Sequence, residues 1–254
     1  MLRTNEIKRR LAEGDLVHGL FCTAPAPELV EMIAHGGYDF VVLDTEHTLV
    51  DGRELTHAIR AAETCGLTPF VRITAGDSAT TLRALDAGAM GVVVPHVRSR
   101  ADVSAAIDAM YYAPLGNRSL GNGPTAGFGR YDPVEHLRRA NEEIMLIALI
   151  EDADGVADID RILAEGGVDM VLPGPADLSQ SFGVPWQLGD ARVRAALDRL
   201  RAACAEHAVP YCAMARTPQR YAQWRAAGVR AFVCGDAADL AAAALRRSLP
   251  DLRG

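Results

Sequence analysis

Two periods of apolar spacing alternate along this chain. Short apolar runs, read as strands, fall at residues 17–23, 38–43, 68–73, 90–94, 144–151, 168–172, 209–214 and 229–234. Between them apolar residues recur every third or fourth position, the spacing of one helix face. Helices are read at 25–34, 51–65, 77–87, 99–112, 132–143, 154–164, 189–207, 217–227 and 236–249. The punctuation agrees with this pattern. Gly36, Gly37, Gly66 and Gly88 close helices, Asp77 caps one, and Pro133 sits in a first turn. A further short helix opens the chain and ends at Gly14. The run from Ile144 to Ile150 has no polar position at all, so it reads as a strand buried on both faces, as in a parallel sheet.

Eight strand–helix units follow one another in 254 residues without a linker or a break in composition. That is the arithmetic of one (β/α)8 TIM barrel, an α/β fold, spanning residues 1–254 as a single domain with an extra N-terminal helix. A doubly wound open sheet is the alternative. It calls for a phosphate-type glycine turn after an early strand, and the sequence has none. The alternation pauses once, over 113–131, where Gly, Pro and Asn dominate. Long loops of this kind are commonly functional lids.

Composition narrows the chemistry. At 49% hydrophobic and 23% charged the chain has an ordinary globular balance. No apolar run is long enough to span a bilayer, and the start lacks the apolar core of a signal peptide. A net charge of −7 without a basic run argues against a nucleic-acid partner. Cys22, Cys65, Cys204, Cys212 and Cys234 are odd in number and none has CxxC spacing, which fits reduced thiols and a cytoplasmic location. Cys22 and Cys234 read as small core residues. Lys8 is the only lysine, and it lies in the first helix, far from any strand end. Schiff-base chemistry therefore lacks a nucleophile. A carbanion next to a carbonyl would need a metal as its electron sink.

In a barrel, the carboxyl ends of the strands share one rim. That rim collects Asp44, Glu46 and His47 after the second strand, Arg72 at the end of the third, His96 after the fourth, Glu151 and Asp152 after the fifth, and Asp177 after the sixth. A carboxylate ending a buried strand is costly unless it has a partner. Glu151 has one if Asp177, from the next strand, shares a cation with it. With no cysteine or histidine cluster beside them, these oxygens suit Mg2+, Mn2+ or a similar hard ion. Each residue alone has a plainer reading. Glu151 or Asp177 could cap a helix, Arg72 could serve a structural ion pair, and His47 or His96 could be purely structural. The functional case rests on their shared rim. The Gly174-Pro175-Ala176 turn, leading into a helix, exposes backbone N–H groups that favour an anion. Together these parts describe a small 2-oxo-acid site. An ion would chelate the carbonyl and one carboxylate oxygen, the turn amides would hold the carboxylate, and Arg72 would face the developing enolate oxygen.

The motifs Asp44-Thr45-Glu46-His47, Leu85-Asp86-Ala87-Gly88-Ala89, Val94-Pro95-His96-Val97, Tyr112-Ala113-Pro114-Leu115-Gly116-Asn117-Arg118, Ile150-Glu151 and Gly174-Pro175-Ala176-Asp177-Leu178-Ser179, with Arg72, occur in the order of a known family. Over nearly its whole length the chain resembles the HpcH/HpaI aldolases, metal-dependent pyruvate aldolases of the phosphoenolpyruvate-utilising barrel superfamily. The resemblance implies that Glu151 and Asp177 are ligands for Mg2+, Mn2+ or Co2+. It implies that Arg72 steadies the enolate and contacts substrate, and that His47 is the base, acting through a metal-bound water. Asp86 would pair with that histidine from a neighbouring subunit. Gly174, Pro175 and Ala176 would bind the substrate carboxylate, with Asp44 and Glu46 as supporting groups behind the site. The family usually forms homo-hexamers, trimers of dimers, with the last helix exchanged between subunits.

The sequence departs from the family's common pattern at Thr45, where glycine is usual, and at His96, where methionine is frequent. Leu149 stands where many members carry glutamine near the oxo acid, which bears on substrate choice. The 117–129 stretch also differs. The expected activity is that of a class II aldehyde-lyase, making or breaking a carbon–carbon bond between the enolate of a pyruvate-type 2-oxo acid and an aldehyde. Three alternatives share the site: an oxaloacetate-type decarboxylase, a citrate-lyase-like enzyme acting on acyl-CoA, and a barrel that binds a 2-oxo acid without turning it over.

Overall fold

A computed structural model describes residues 3–215 and 217–253. Met1, Leu2, Arg216 and Gly254, which the 1–254 reading includes, lie outside the described residues. The strands are β1 (Val17–Cys22), β2 (Phe40–Asp44), β3 (Thr68–Arg72), β4 (Gly91–Val94), β5 (Met145–Ile150), β6 (Met170–Pro173), β7 (Cys212–Met214) and β8 (Ala231–Asp236). The helices are α1 (Glu6–Ala12), α2 (Pro27–His35), α3 (Gly52–Thr64), α4 (Ser78–Ala87), α5 (Arg100–Met110), α6 (Pro133–Glu143), α7 (Ala153–Ala157), α8 (Ile159–Ala164), α9 (Pro175–Ser181), α10 (Ala191–Glu206), α11 (Pro218–Ala226) and α12 (Ala237–Arg253).

All strand pairs are parallel, in the order β6-β5-β4-β3-β2-β1-β8-β7. Among the described residues the circle closes between β6 and β7 through one isolated parallel bridge, Val171 to Tyr211. This is the (β/α)8 barrel that the alternation of periods predicts.

Several bounds differ from the sequence reading, and three differences are instructive. The 154–164 helix is divided into α7 and α8, because Asp158 leaves helical geometry at φ −96° and ψ 8°. β7 is shorter than 209–214: Pro210 has no N–H to give the ladder, and only its carbonyl is used, by the Val171 N–H at 2.9 Å. The 113–131 loop is not structureless, since Pro124–Gly129 forms a 3₁₀ stretch.

Period two sorts each strand between two cores. Phe40, Val42, Phe70, Val93, Met145, Ile147, Leu149, Met170 and Leu172 point into the barrel. Val41, Leu43, Val71, Leu146, Ala148 and Ile150 face the helices instead. All six residues of β5 are buried, as its unbroken apolar run requires. Helix α1 closes the amino-terminal mouth of the barrel. Its Ile7 joins the inner core, and Asn5 caps the helix while its amide donates to the Met90 carbonyl at 3.0 Å. Lys8 is used there too, 3.1 Å from Asp169. The lone lysine is thus at the end opposite the rim. Among the described residues no helix is long and apolar enough to cross a membrane.

The inner core is filled by rings that need space from their neighbours. A Cβ on Gly19 would lie 2.3 Å from the Phe40 ring, itself fully buried. Gly19→Ala is therefore expected to destabilise the protein by ~1–3 kcal/mol through overpacking. Urea denaturation would show this as a lower midpoint at unchanged slope.

Candidate active site

The alternation that fills the barrel also delivers its polar residues. In five of the strands the inward series runs on past the last apolar residue to a residue at the rim. Phe40 and Val42 lead to Asp44; Phe70 leads to Arg72; Met145, Ile147 and Leu149 lead to Glu151; Met170 and Leu172 lead to Gly174; Phe21 leads to Thr23. Thr23, Arg72, Glu151 and Gly174 line a cavity of about 450 Å3 with His47, Pro175, Ala176, Asp177, Trp186, Met214 and Asp236, and Asp44 is buried behind Arg72.

Asp44 and Arg72 lie side by side in the β2–β3 register. Arg72 Nε and Nη2 each donate to an Asp44 carboxylate oxygen at 2.8 Å, a two-pronged pair. The third nitrogen, Nη1, is 3.3 Å from Glu46 Oε2. The guanidinium carbon stands 4.9 Å from the centre of the Phe21 ring, within cation–π range. Thr45 fixes the backbone behind it, since its N–H and its hydroxyl both donate to the Arg72 carbonyl, at 2.9 and 2.6 Å. His47 is mostly exposed, and its Nε2 is 3.7 Å from Glu46 Oε2.

Glu151 is buried at 3% exposure. Its carboxyl is pushed up to about 7, first by burial and then by the charges of Asp177 and Glu46, against the opposing pull of the His96 N–H and imidazole. Gly174 gives this side chain its room: a Cβ there would lie 2.4 Å from Glu151 Oε2. Asp177 is half-buried in the first turn of α9 and lines the same cavity. Among the described residues no donor hydrogen-bonds to its carboxylate.

Two hard carboxylates on adjacent strands, one of them desolvated to the point of resisting ionisation, fit a divalent cation. Positive charge there offsets what burial and mutual repulsion cost. Among the described residues no trio of His, Cys, Asp or Glu converges on one point. A cation at this pair would complete its shell from water and substrate, as Mg2+ commonly does.

His96 adopts a left-handed backbone at φ 52°. Its N–H donates to Glu151 Oε1 at 3.0 Å, and its Nδ1 is 3.0 Å from Asp152 Oδ2. Asp152 also accepts from Arg98, with Nε at 3.0 Å. Burial disfavours the His96 imidazolium, but the Asp152 hydrogen bond and the charges of Glu151, Asp152 and Glu46 outweigh it, so its pKa is raised.

Asp86 stands apart from this group. It lies near the end of α4 and accepts from Arg118 Nη2 at 2.7 Å. Arg118 comes from the Gly-rich loop, is buried, and lies 4.5 Å over the Tyr112 ring. Within one chain Asp86 is therefore joined to Arg118 and does not line the cavity that His47 lines.

Sequence reasoning missed three contributors. Asp236 ends β8 and joins it to β1, accepting from the Thr23 N–H and hydroxyl, both at 3.0 Å. It also caps α12 through the Ala238 N–H at 2.8 Å. An aspartate between a strand and an alanine-rich helix was the available signal, and it was read only as a helix start. Trp186 lines the cavity from a left-handed backbone at φ 62°, and its N–H donates to Ser179 Oγ at 2.8 Å. Ser179 in turn donates to the Ala176 carbonyl at 2.6 Å, tying that loop to the glycine turn. No local pattern announces Trp186. Arg118 lay in view within the loop motif, but its pairing with Asp86 is a tertiary contact.

The buried glutamate makes a test available. In EDTA, below about pH 4.5 the Glu151 carboxyl is protonated in both folded and unfolded chains and contributes nothing. As the pH rises through the window from 4.5 to about 7 the unfolded chain ionises first, so the metal-free fold loses stability. The expected loss across that window is on the order of 3 kcal/mol relative to Glu151→Gln. Urea titrations of both proteins at several pH values measure the difference.

Comparison with known proteins identifies the family to which this barrel belongs. The model of the HpcH/HpaI aldolase/citrate lyase family matches residues 18–239. A hydroxypyruvate/pyruvate aldolase of Sagittula stellata is 36% identical over 197 residues, 77% of each chain. A solved structure of citrate synthase SbnG is 40% identical, with a TM-score of 0.90 over 97% of each chain. A family protein from Burkholderia cenocepacia J2315 superposes with a TM-score of 0.92 at 30% identity, over 99% of this chain and 100% of that one. With the family match, the barrel and the relatives in agreement, the chain belongs to the HpcH/HpaI aldolase/citrate lyase family and is a carbon–carbon lyase of the aldolase type.

Proposed function

We propose that the enzyme uses Mg2+, Mn2+ or Co2+ to form the enolate of a pyruvate-type 2-oxo acid and joins it to, or releases it from, an aldehyde. One observation carries the reading: Glu151 and Asp177, from adjacent strands, share a cavity with Arg72 and with the Gly174–Ala176 turn. What a divalent ion held by those two carboxylates supplies is Lewis acidity toward the 2-oxo carbonyl. The N–H groups at the start of α9 bind the substrate carboxylate, as helix starts bind anions. Arg72, held rigid by Asp44, faces the oxygen on which enolate charge develops, and its fixed orientation means little reorganisation is needed. His47 reaches the cavity from an exposed position and moves the proton between the substrate carbon or aldehyde oxygen and solvent. Glu46, 3.7 Å from His47 Nε2, orients that ring.

The same reading assigns the protein to the cytoplasm, supported by five free thiols. It assigns a homo-oligomer, a hexamer built as a trimer of dimers, in which Asp86 of one copy meets His47 of the next. The exposed Leu240 and Leu245 on α12 support exchange of that helix between copies.

A second reading is favoured by the likeness to a citrate synthase and by Leu149 and His96, which depart from the common pyruvate-aldolase pattern. In it the nucleophile is the enolate of an acyl thioester and the electrophile is the keto carbon of oxaloacetate.

Exchange of pyruvate methyl protons in D2O, followed by NMR, tests the first reading. Wild type with Mn2+ or Mg2+ is expected to exchange, and absence of exchange with every ion overturns it. Glu151→Gln and Asp177→Asn are expected to abolish exchange with the fold intact. His47→Ala should slow it ~10²–10⁴-fold, the usual contribution of a positioned acid–base group. For the second reading, thiol release from acetyl-CoA is measured with and without oxaloacetate. Oxaloacetate-dependent release without pyruvate exchange would replace the 2-oxo acid by the thioester as nucleophile, and the aldehyde by oxaloacetate as electrophile. Loss of CO2 from oxaloacetate alone would identify the decarboxylase.

A further inference from the structure

His96 is the rim residue that the proposed reaction leaves without a task. Its backbone is strained. A φ of 52° is uncommon outside glycine, although His and Asn tolerate it better than most residues, and such strain persists only where the surroundings enforce it. What the conformation achieves is visible. It aims the His96 N–H at Glu151 Oε1, 3.0 Å away. The imidazole lies near the same oxygen without bonding to it, with Nδ1 at 3.6 Å from Oε1. That ring is itself fixed, because Nδ1 lies 3.0 Å from Asp152 Oδ2. Asp152 is fixed in turn by Arg98, with Nε 3.0 Å from Oδ2 and Nη2 3.1 Å from Oδ1.

We infer that His96 is a positioning residue for Glu151: the series Arg98–Asp152–His96 holds Oε1 and thereby leaves Oε2 as the oxygen free for a cation. The other side of Glu151 agrees. Oε2 lies against Gly174, where a Cβ would be 2.4 Å away, so Oε2 is on the side of the glycine turn that leads to Asp177. The inference rests on the proposed metal site. It assigns Glu151 a one-oxygen mode of binding and gives Arg98 and Asp152, outside the cavity lining, a part in setting it. A methionine at 96 could supply the same N–H but has no ring for Asp152 to hold, so in this chain the N–H that meets Glu151 is anchored through its own side chain.

The test uses Mn2+ affinity, read by electron paramagnetic resonance without substrate, together with crystal structures of metal-free variants. His96→Ala and Asp152→Ala are expected to weaken Mn2+ binding ~10–100-fold, as loss of a group orienting a ligand does. Both variants have the backbone N–H, but His96→Asn tolerates the left-handed conformation that aims it at Glu151 and should lose less. In crystals of His96→Ala the Glu151 carboxylate is expected to turn from its wild-type position. Wild-type affinity in both alanine variants overturns the inference, and so does an unmoved Glu151 carboxylate. Failure of wild type to bind Mn2+ removes the metal site itself, and the position of Glu151 in the crystals then decides the positioning role alone. Thermal melting of each variant separates loss of the fold from loss of the site.

Discussion

A fully buried carboxylate sets the terms for the rim. Asp44 has no exposed surface, so its charge depends on a partner supplied by the fold. The β2–β3 register supplies one by placing Arg72 beside it. Only a guanidinium can satisfy both oxygens at once and still have a nitrogen left over, and that nitrogen turns to Glu46. The arginine that lines the cavity is therefore held at its fork by Asp44, along its face by Phe21 and at its carbonyl by Thr45. A group meant to meet developing charge is most effective when it need not move. Here immobility follows from strand register.

The balance of charge points the same way. The cavity holds Glu151, Asp177 and Asp236 against Arg72, and Arg72 is already committed to Asp44. An anionic 2-oxo acid would enter an unfavourable field unless a cation came first. The raised pKa of Glu151 expresses this in the protein's own terms, because burial makes its ionised form costly. The same residue that destabilises the empty fold is the one that makes a cation welcome.

Much of this was legible in the sequence for a simple reason. A barrel strand alternates in and out, so a polar residue in phase with the inward series must emerge at the rim. Asp44, Arg72 and Glu151 are all in phase, and the apolar run before Glu151 marks a strand buried along its whole length. The glycine turn was equally readable, because Gly174 leaves space that any side chain would fill. What escaped is contact between segments distant in sequence. Arg118 reaches Asp86 across 32 positions, and Thr23 meets Asp236 across 213. Neither pair has a local period. The helix read over 154–164 divides at Asp158, a break that hydrophobic spacing does not encode. Ser179 shows a middle case: its motif was visible, but its bond to the Trp186 backbone, which shapes the cavity wall, was not.

The closure of the barrel has a consequence for the chemistry. β5 and β6 are paired over four residues, from Ile147–Met170 to Ile150–Pro173, whereas β6 meets β7 through a single bridge. The weakest seam in the cylinder thus runs beside the strand that leads to Asp177, not between it and the strand that leads to Glu151. Glu151 and Asp177 therefore follow two strands joined by a continuous ladder, while Met214, on β7, lines the cavity from across the seam.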